Sequence, residues 1–154
     1  MSEPKRFDTV EEIIDFAIQR EREAQDTYLS YARETERRSF TELLLSMAEM
    51  EREHERKLIA LKQGNPGLLT PPNAEDLGFS EMLAQVPFSP DMDYGDFLIL
   101  VIRKEREAEQ LYRKLAAMTT SPDISSMLRV LADEERKHRD WAQERYDEDI
   151  LKEN

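Results

Sequence analysis

A chain of 154 residues and 18.1 kDa is long enough to bury a core and short for two independent ones, so a single domain over residues 1–154 is expected. Its 22 Lys and Arg against 34 Asp and Glu give a formal charge of −12, spread from end to end, which leaves no cationic face for nucleic acid or an anionic membrane. Four glycines and 36% charged residues favour an all-α protein, and the absence of cysteine excludes disulfides, thiol nucleophiles, zinc fingers and Cys-ligated iron–sulfur centres.

The amino terminus, MSEPKRFDTVEEI, has no apolar core of signal-peptide length. Asp8 and Thr9, three residues before Glu11 and Glu12, read as a capping box, after which Ile14, Ala17, Ala24, Tyr28 and Ala32 recur at helical spacing, predicting a first helix over about 9–36. Ser39 with Glu42 reads as a second capping box; Leu44, Met47, Ala48, Leu58 and Leu61 follow, and Gly64-Asn65-Pro66-Gly67 stops the run, predicting a helix over about 39–63. The next thirty or so residues hold Pro66, Pro71, Pro72, Pro87 and Pro90, too long a stretch for a tight turn, with a short helix predicted over Ser80–Val86.

A third helix is predicted to start near Asp93 or Asp96 and to carry Leu98, Val101, Ile102, Ala108, Tyr112 and Leu115. Its stretch Phe97–Ile102 is the longest apolar run and is much too short to cross a bilayer, so a soluble cytoplasmic protein is expected. A fourth helix is predicted from Ser121-Pro122, an N-cap followed by a proline at the first helical position, through Leu128, Leu131, Ala132 and Ala142. Four long helices with two short links and one long one describe a four-helix bundle with a crossover connection between the second and third.

The sequence repeats itself at an offset of 84. Ile18, Glu21, Arg22, Glu23, Ala24, Tyr28 and Ala32 lie over Ile102, Glu105, Arg106, Glu107, Ala108, Tyr112 and Ala116, and Leu44, Ala48, Glu51, Arg52 and His54 lie over Leu128, Ala132, Glu135, Arg136 and His138. The chain therefore reads as a duplicated helical hairpin, about 9–63 and 93–149.

Each of the two histidines is preceded at minus three by a glutamate, giving Glu51-x-x-His54 and Glu135-x-x-His138, and each of those glutamates is preceded at minus thirty by another, Glu21 and Glu105. Residues equally far from a hairpin turn lie at one height. The midpoint of 21 and 51 is 36 and that of 105 and 135 is 120, where the turns are predicted, so each Glu sits level with its Glu-x-x-His, about 22 Å from its loop. Ala17, Glu21, Ala24 and Tyr28 share one helix face, as do Met47, Glu51, His54 and Leu58, and the second hairpin repeats both sets, so all six side chains are expected to point inward. The heights are compatible with either relative direction of the second and third helices.

Four carboxylates in an apolar core would repel one another and be poorly solvated, a conflict that two divalent cations resolve. Carboxylate oxygens with one imidazole per metal suit Fe(II) or Mn(II), with Zn(II) a competitor because it binds such sites more tightly. The expected metal ligands are Glu21, Glu51, His54, Glu105, Glu135 and His138, with Glu51 and Glu135 bridging and the other four terminal. Small Ala24 and Ala108 leave room for an oxygen-derived ligand. Tyr28 and Tyr112 read either as core aromatics or as hydrogen-bond donors to the opposing carboxylates. Glu23, Glu107, Asp133 and Glu134 fall out of phase and are expected to face water and Trp141 to pack, while Glu109, one turn beyond Glu105, could reach the site but is left out of the expected ligands.

At these residues the sequence resembles the rubrerythrins of the ferritin-like superfamily, over nearly the whole chain. EREAQDTY and EREAEQLY resemble that family's first-ligand helix pattern, and MEREHERKL and EERKHRDWA its Glu-x-x-His helices. The resemblance implies di-iron ligands at Glu21, Glu51, His54, Glu105, Glu135 and His138, site tyrosines at Tyr28 and Tyr112, and a homodimer or small homo-oligomer. Two features depart from the family pattern. Ala108 stands where rubrerythrins carry an extra, exchangeable carboxylate, and a chain without cysteine cannot build their rubredoxin domain, so electrons are expected from a separate donor or from Fe(II) itself. The expected function is a di-iron oxidoreductase that oxidises Fe(II) with hydrogen peroxide or dioxygen. A ferritin-like protein that binds or stores iron without turnover, and a metal-free helical interaction module, remain open alternatives.

Overall fold

The computed structural model describes residues 10–64 and 92–152. Four long α-helices make up nearly all of them: α1 (Val10–Glu34), α2 (Arg38–Gly64), α3 (Tyr94–Met118) and α4 (Pro122–Tyr146). They form two hairpins, α1 packed on α2 and α3 packed on α4. Among the described residues no helix is long and apolar enough to cross a membrane. The Asp8–Thr9 capping box, the short helix expected over Ser80–Val86 and the five linker prolines lie outside the described residues.

In the first hairpin, Glu11 and Glu12 in the opening turn of α1 and Arg33 in its last turn oppose the helix dipole favourably. Its apolar stripe of Ile13, Ile14, Ala17 and Ile18 is buried, as are Leu44, Met47, Leu58 and Leu61 on α2. Each such Leu or Ile contributes about 1.5–3 kcal/mol by leaving water. The turn is residues 35–37, centred on the predicted midpoint of 36.

The expected Ser39–Glu42 capping box does not start α2. The helix begins at Arg38, so Ser39 is already inside it. The chain turns one residue earlier because Thr35 Oγ1 accepts the Arg37 backbone N–H (3.3 Å) and the Arg37 carbonyl accepts from Phe40 and Thr41 (3.0 and 3.1 Å). Phe40 is thereby buried, with the Arg37 guanidinium 5.6 Å above its ring.

The second hairpin has side-chain caps at both helix starts. Asp93 accepts from the Asp96 N–H (2.8 Å) and Ser121 from the Ile124 N–H (3.3 Å), with Pro122 opening α4. The turn at 119–121 is centred on the predicted 120. Phe97, Leu98, Val101, Leu111 and Leu115 of α3 and Leu128, Leu131, Ala132 and Ala142 of α4 are buried. A π-helical turn, Asp147–Leu151, extends α4, and the Tyr94 hydroxyl donates to Asp149 Oδ2 at 2.5 Å, tying that turn to the start of α3.

Candidate metal centre

In the first hairpin, Glu21 from α1 and Glu51 and His54 from α2 are buried to 1%, 1% and 0% exposure. One ligand atom from each of the three lies within 4.8 Å of the others. His54 Nδ1 is 3.6 Å from Glu21 Oε1 and 3.9 Å from Glu51 Oε1. Helical phase produces this arrangement: Ala17, Met47 and Leu58, on the same faces as the polar three, are themselves buried. With an intervening turn of only three residues, equal distance from it brings Glu21 level with Glu51.

The second hairpin builds the same triad. Glu105 on α3 and Glu135 and His138 on α4 are buried, each offers a ligand atom within 4.8 Å of the others, and His138 Nδ1 is 3.7 Å from Glu105 Oε2. In both hairpins Nδ1 is the imidazole nitrogen that approaches the carboxylates. Two donors bound about 2.1 Å from one ion, at roughly 90–110° to each other, are about 3.0–3.5 Å apart. The observed separations lie just above that range, longer than a normal hydrogen bond and close enough for a shared cation. Carboxylate oxygens with an imidazole nitrogen are donors that suit Fe(II), Mn(II) or Zn(II), and burial makes charge compensation valuable, so the residues present fit a metal ion in each triad.

The neighbours of the triads correct several sequence expectations. Tyr28 and Tyr112 are buried, at 2% and 1% exposure. Ala24 and Ala108, placed on the inward faces by periodicity, are only half-buried. Of the residues expected to face water, Asp133 is exposed, whereas Glu23, Glu107 and Glu134 are half-buried. Trp141 is half-buried too. Glu109 is buried but engaged: it accepts from Arg139 Nη1 at 2.6 Å and from Arg113 Nε and Nη2 at 2.9 and 2.7 Å, a pair of guanidinium contacts that holds its carboxylate.

That ion-paired group is a polar tie that periodicity did not reveal, and the first hairpin has a counterpart at the equivalent positions. In the first hairpin, Glu55 accepts from Gln25 Nε2 at 2.8 Å and from Arg22 Nε at 2.6 Å, while Gln25 Nε2 also approaches the Glu21 carbonyl at 3.2 Å. Burial by itself would raise the Glu55 pKa, but the hydrogen bonds from Gln25 and Arg22 and the charges of Arg22 and Arg52 outweigh it and hold the carboxyl below its ordinary value. The signal that could have found these ties is the same 84-residue offset, which lays Gln25 over Glu109 and Glu55 over Arg139, a polar pair in each hairpin.

The chain matches the family profile described as Rubrerythrin over residues 12–86 and 96–154. It belongs to the rubrerythrin family. It is also similar to a crystal structure of a Thermotoga maritima protein, provisionally assigned as a ferritin-like diiron-carboxylate protein, with a TM-score of 0.70 and 18% sequence identity over 94% of this chain and 97% of that one. That likeness shows the fold, an all-α four-helix bundle of ferritin-like type. None of the curated proteins matches the chain.

Proposed function

We propose that this rubrerythrin-family chain is a di-iron oxidoreductase that oxidises Fe(II) with hydrogen peroxide or dioxygen, with its iron held by the Glu21–Glu51–His54 and Glu105–Glu135–His138 triads. The observation that carries the reading is that each hairpin buries two carboxylates and an imidazole with ligand atoms within 4.8 Å of one another. Glu21, Glu51 and His54 would hold metal from the first hairpin, and Glu105, Glu135 and His138 from the second. When bound, a pair of ferrous ions supplies the two electrons that cleave an O–O bond. With peroxide as oxidant, those electrons and two protons yield two water molecules, and two Fe(III) remain.

The chain's own part is to orient donors and exclude solvent. Leu44 and Leu58, and Leu128 and Leu131, are buried on the Glu-x-x-His helices and keep the carboxylates away from water, where they would be hydrated and lose selectivity for the ion. Tyr28 and Tyr112, two helix turns beyond Glu21 and Glu105, are assigned as hydrogen-bond donors to bound carboxylates. Mn(II) or Zn(II) would fill the same ligands without this Fe(II) chemistry. The protein acts in the cytoplasm as a homodimer or small homo-oligomer, and a separate electron donor returns the iron to Fe(II).

The test is anaerobic loading with ferrous salt, elemental analysis, and then addition of peroxide or air. The reading expects two irons per chain and the growth of a ferric absorption band. Two irons bound with no spectral change would reduce the function to iron binding, and no bound metal would leave a helical interaction module. Size-exclusion chromatography separates a small oligomer from a storage shell.

A further inference from the structure

The two polar ties sit at positions that are equivalent under the repeat, yet they are built with opposite polarity. In the first hairpin the acid is on the second helix, Glu55, and the donor on the first, Gln25. In the second hairpin the acid is on the first helix, Glu109, and the donor on the second, Arg139. Each tie joins the residue four beyond the first-helix triad acid to the residue immediately after the histidine.

These pairs are not level along their helices. Gln25 is 11 residues from the turn midpoint at 36 and Glu55 is 19, a difference of about 12 Å at 1.5 Å per residue, and Glu109 and Arg139 stand in the same relation to 120. The contacts form because helical side chains lean toward their own N-terminus. In an antiparallel hairpin that lean carries Gln25 away from the turn and Glu55 toward it, so they meet at the height of Glu21, whose carbonyl Gln25 Nε2 also approaches at 3.2 Å. The tie therefore bridges the helices at the level where Glu21 Oε1 and His54 Nδ1 stand 3.6 Å apart, and in the second hairpin where Glu105 Oε2 and His138 Nδ1 stand 3.7 Å apart.

We infer that Gln25–Glu55 and Glu109–Arg139 are interchangeable positioning ties that set the spacing of the triads for metal. The inference rests on the metal-binding reading above and adds to it which residues hold the ligands in place. What each tie requires is one carboxylate shared between donors across the hairpin, and either helix can provide it. Arg22 is the second donor in the first hairpin and Arg113 in the second. Arg106 stands at the place in α3 that Arg22 has in α1, so the second hairpin already carries the second donor that the other polarity needs.

The experiment compares full-length wild type with Glu109→Gln, Arg139→Glu and the double variant Glu109→Gln/Arg139→Glu, which rewrites the second tie in the polarity of the first. Cobalt(II) is titrated into metal-free protein, with its visible absorption reporting donor geometry and thermal melting of the metal-free form reporting the fold. Each single variant is expected to bind the weaker of its two cobalt ions about 10- to 100-fold less tightly, the range typical of groups that orient metal ligands. The double variant is expected to return to within about threefold of wild type, with the wild-type spectrum. A merely structural role would lower melting without this loss and recovery of affinity. If Arg139→Glu does not fold, Glu109→Gln, which keeps the side-chain shape, and the double variant supply the same comparison. Single variants that bind like wild type, or a double variant as weak as the singles, overturn the inference while wild-type binding leaves the proposed function standing. A wild type that binds no cobalt, iron, manganese or zinc overturns both.

Discussion

The two hairpins carry one triad and two ways of surrounding it. Glu21, Glu51 and His54 repeat as Glu105, Glu135 and His138 with closely similar burial, and the shortest acid–imidazole separations differ by only 0.1 Å. Around them the hairpins diverge. α3 and α4 begin on the side-chain caps Asp93 and Ser121, whereas α2 begins beside a backbone turn held by Thr35 and Arg37. The ties beside the triads are reversed in polarity. Metal donors are constrained by chemistry, so both halves use the same residues there, whereas the apolar stripes keep only their character, with Ala17, Met47 and Leu58 standing at the positions of Val101, Leu131 and Ala142. A polar tie or a helix start has several chemical solutions of similar free energy, and the halves use different ones.

Breaking the core should show the likeness most strongly. Leu44 and Leu128 occupy equivalent, fully buried positions, and replacing either by Ala should cost about 2–5 kcal/mol in denaturant unfolding. Closely matched losses would show equivalent packing, and a large mismatch would show that one hairpin relaxes around the cavity. Metal removal comes next. Free metal at a hundredfold above its dissociation constant stabilises the folded chain by about 2.7 kcal/mol, so a chelator at pH 8 should lower the melting temperature by roughly 5–10 °C. Glu51→Ala and Glu135→Ala should each abolish that difference; an unchanged melting temperature on chelation would count against a metal role for both triads.

The caps separate the hairpins at smaller scale. Asp93→Ala and Ser121→Ala should each destabilise the protein by about 1 kcal/mol in thermal or denaturant melts, through loss of an N–H acceptor at a helix start. The smallest effect concerns pH. Because Glu55 is held below its ordinary pKa in the folded chain, the stability it contributes is complete above the unfolded value and is lost as pH falls through the folded one. The stability gap between metal-free wild type and Glu55→Gln should thus be widest at neutral pH and close in acid; a gap independent of pH would show that the carboxylate charge is not what the tie uses.

Much of this architecture was legible before any coordinates. The four helices start and end within a few residues of their expected bounds, both turns centre on the positions deduced from the Glu to Glu-x-x-His spacing, and the six polar residues are buried on the faces that periodicity assigned. The misses have local causes. Ser39 resembled a cap because Ser-x-x-Glu is a capping pattern, but Thr35 and Phe40 set the turn one residue earlier. Spacing alone left the role of Glu109 open, and its partners are two arginines, one from its own helix and one from the next.

By itself, then, the amino-acid sequence determined the duplication, the helix phases and the heights of the triads, because a 3.6-residue period and a fixed rise per residue convert spacing directly into position. Tertiary structure alone decided which polar side chains meet across each hairpin. Gln25 with Glu55 and Glu109 with Arg139 differ by about 12 Å in backbone height and come together because each helical side chain leans toward its own N-terminus and antiparallel packing turns those leans toward each other.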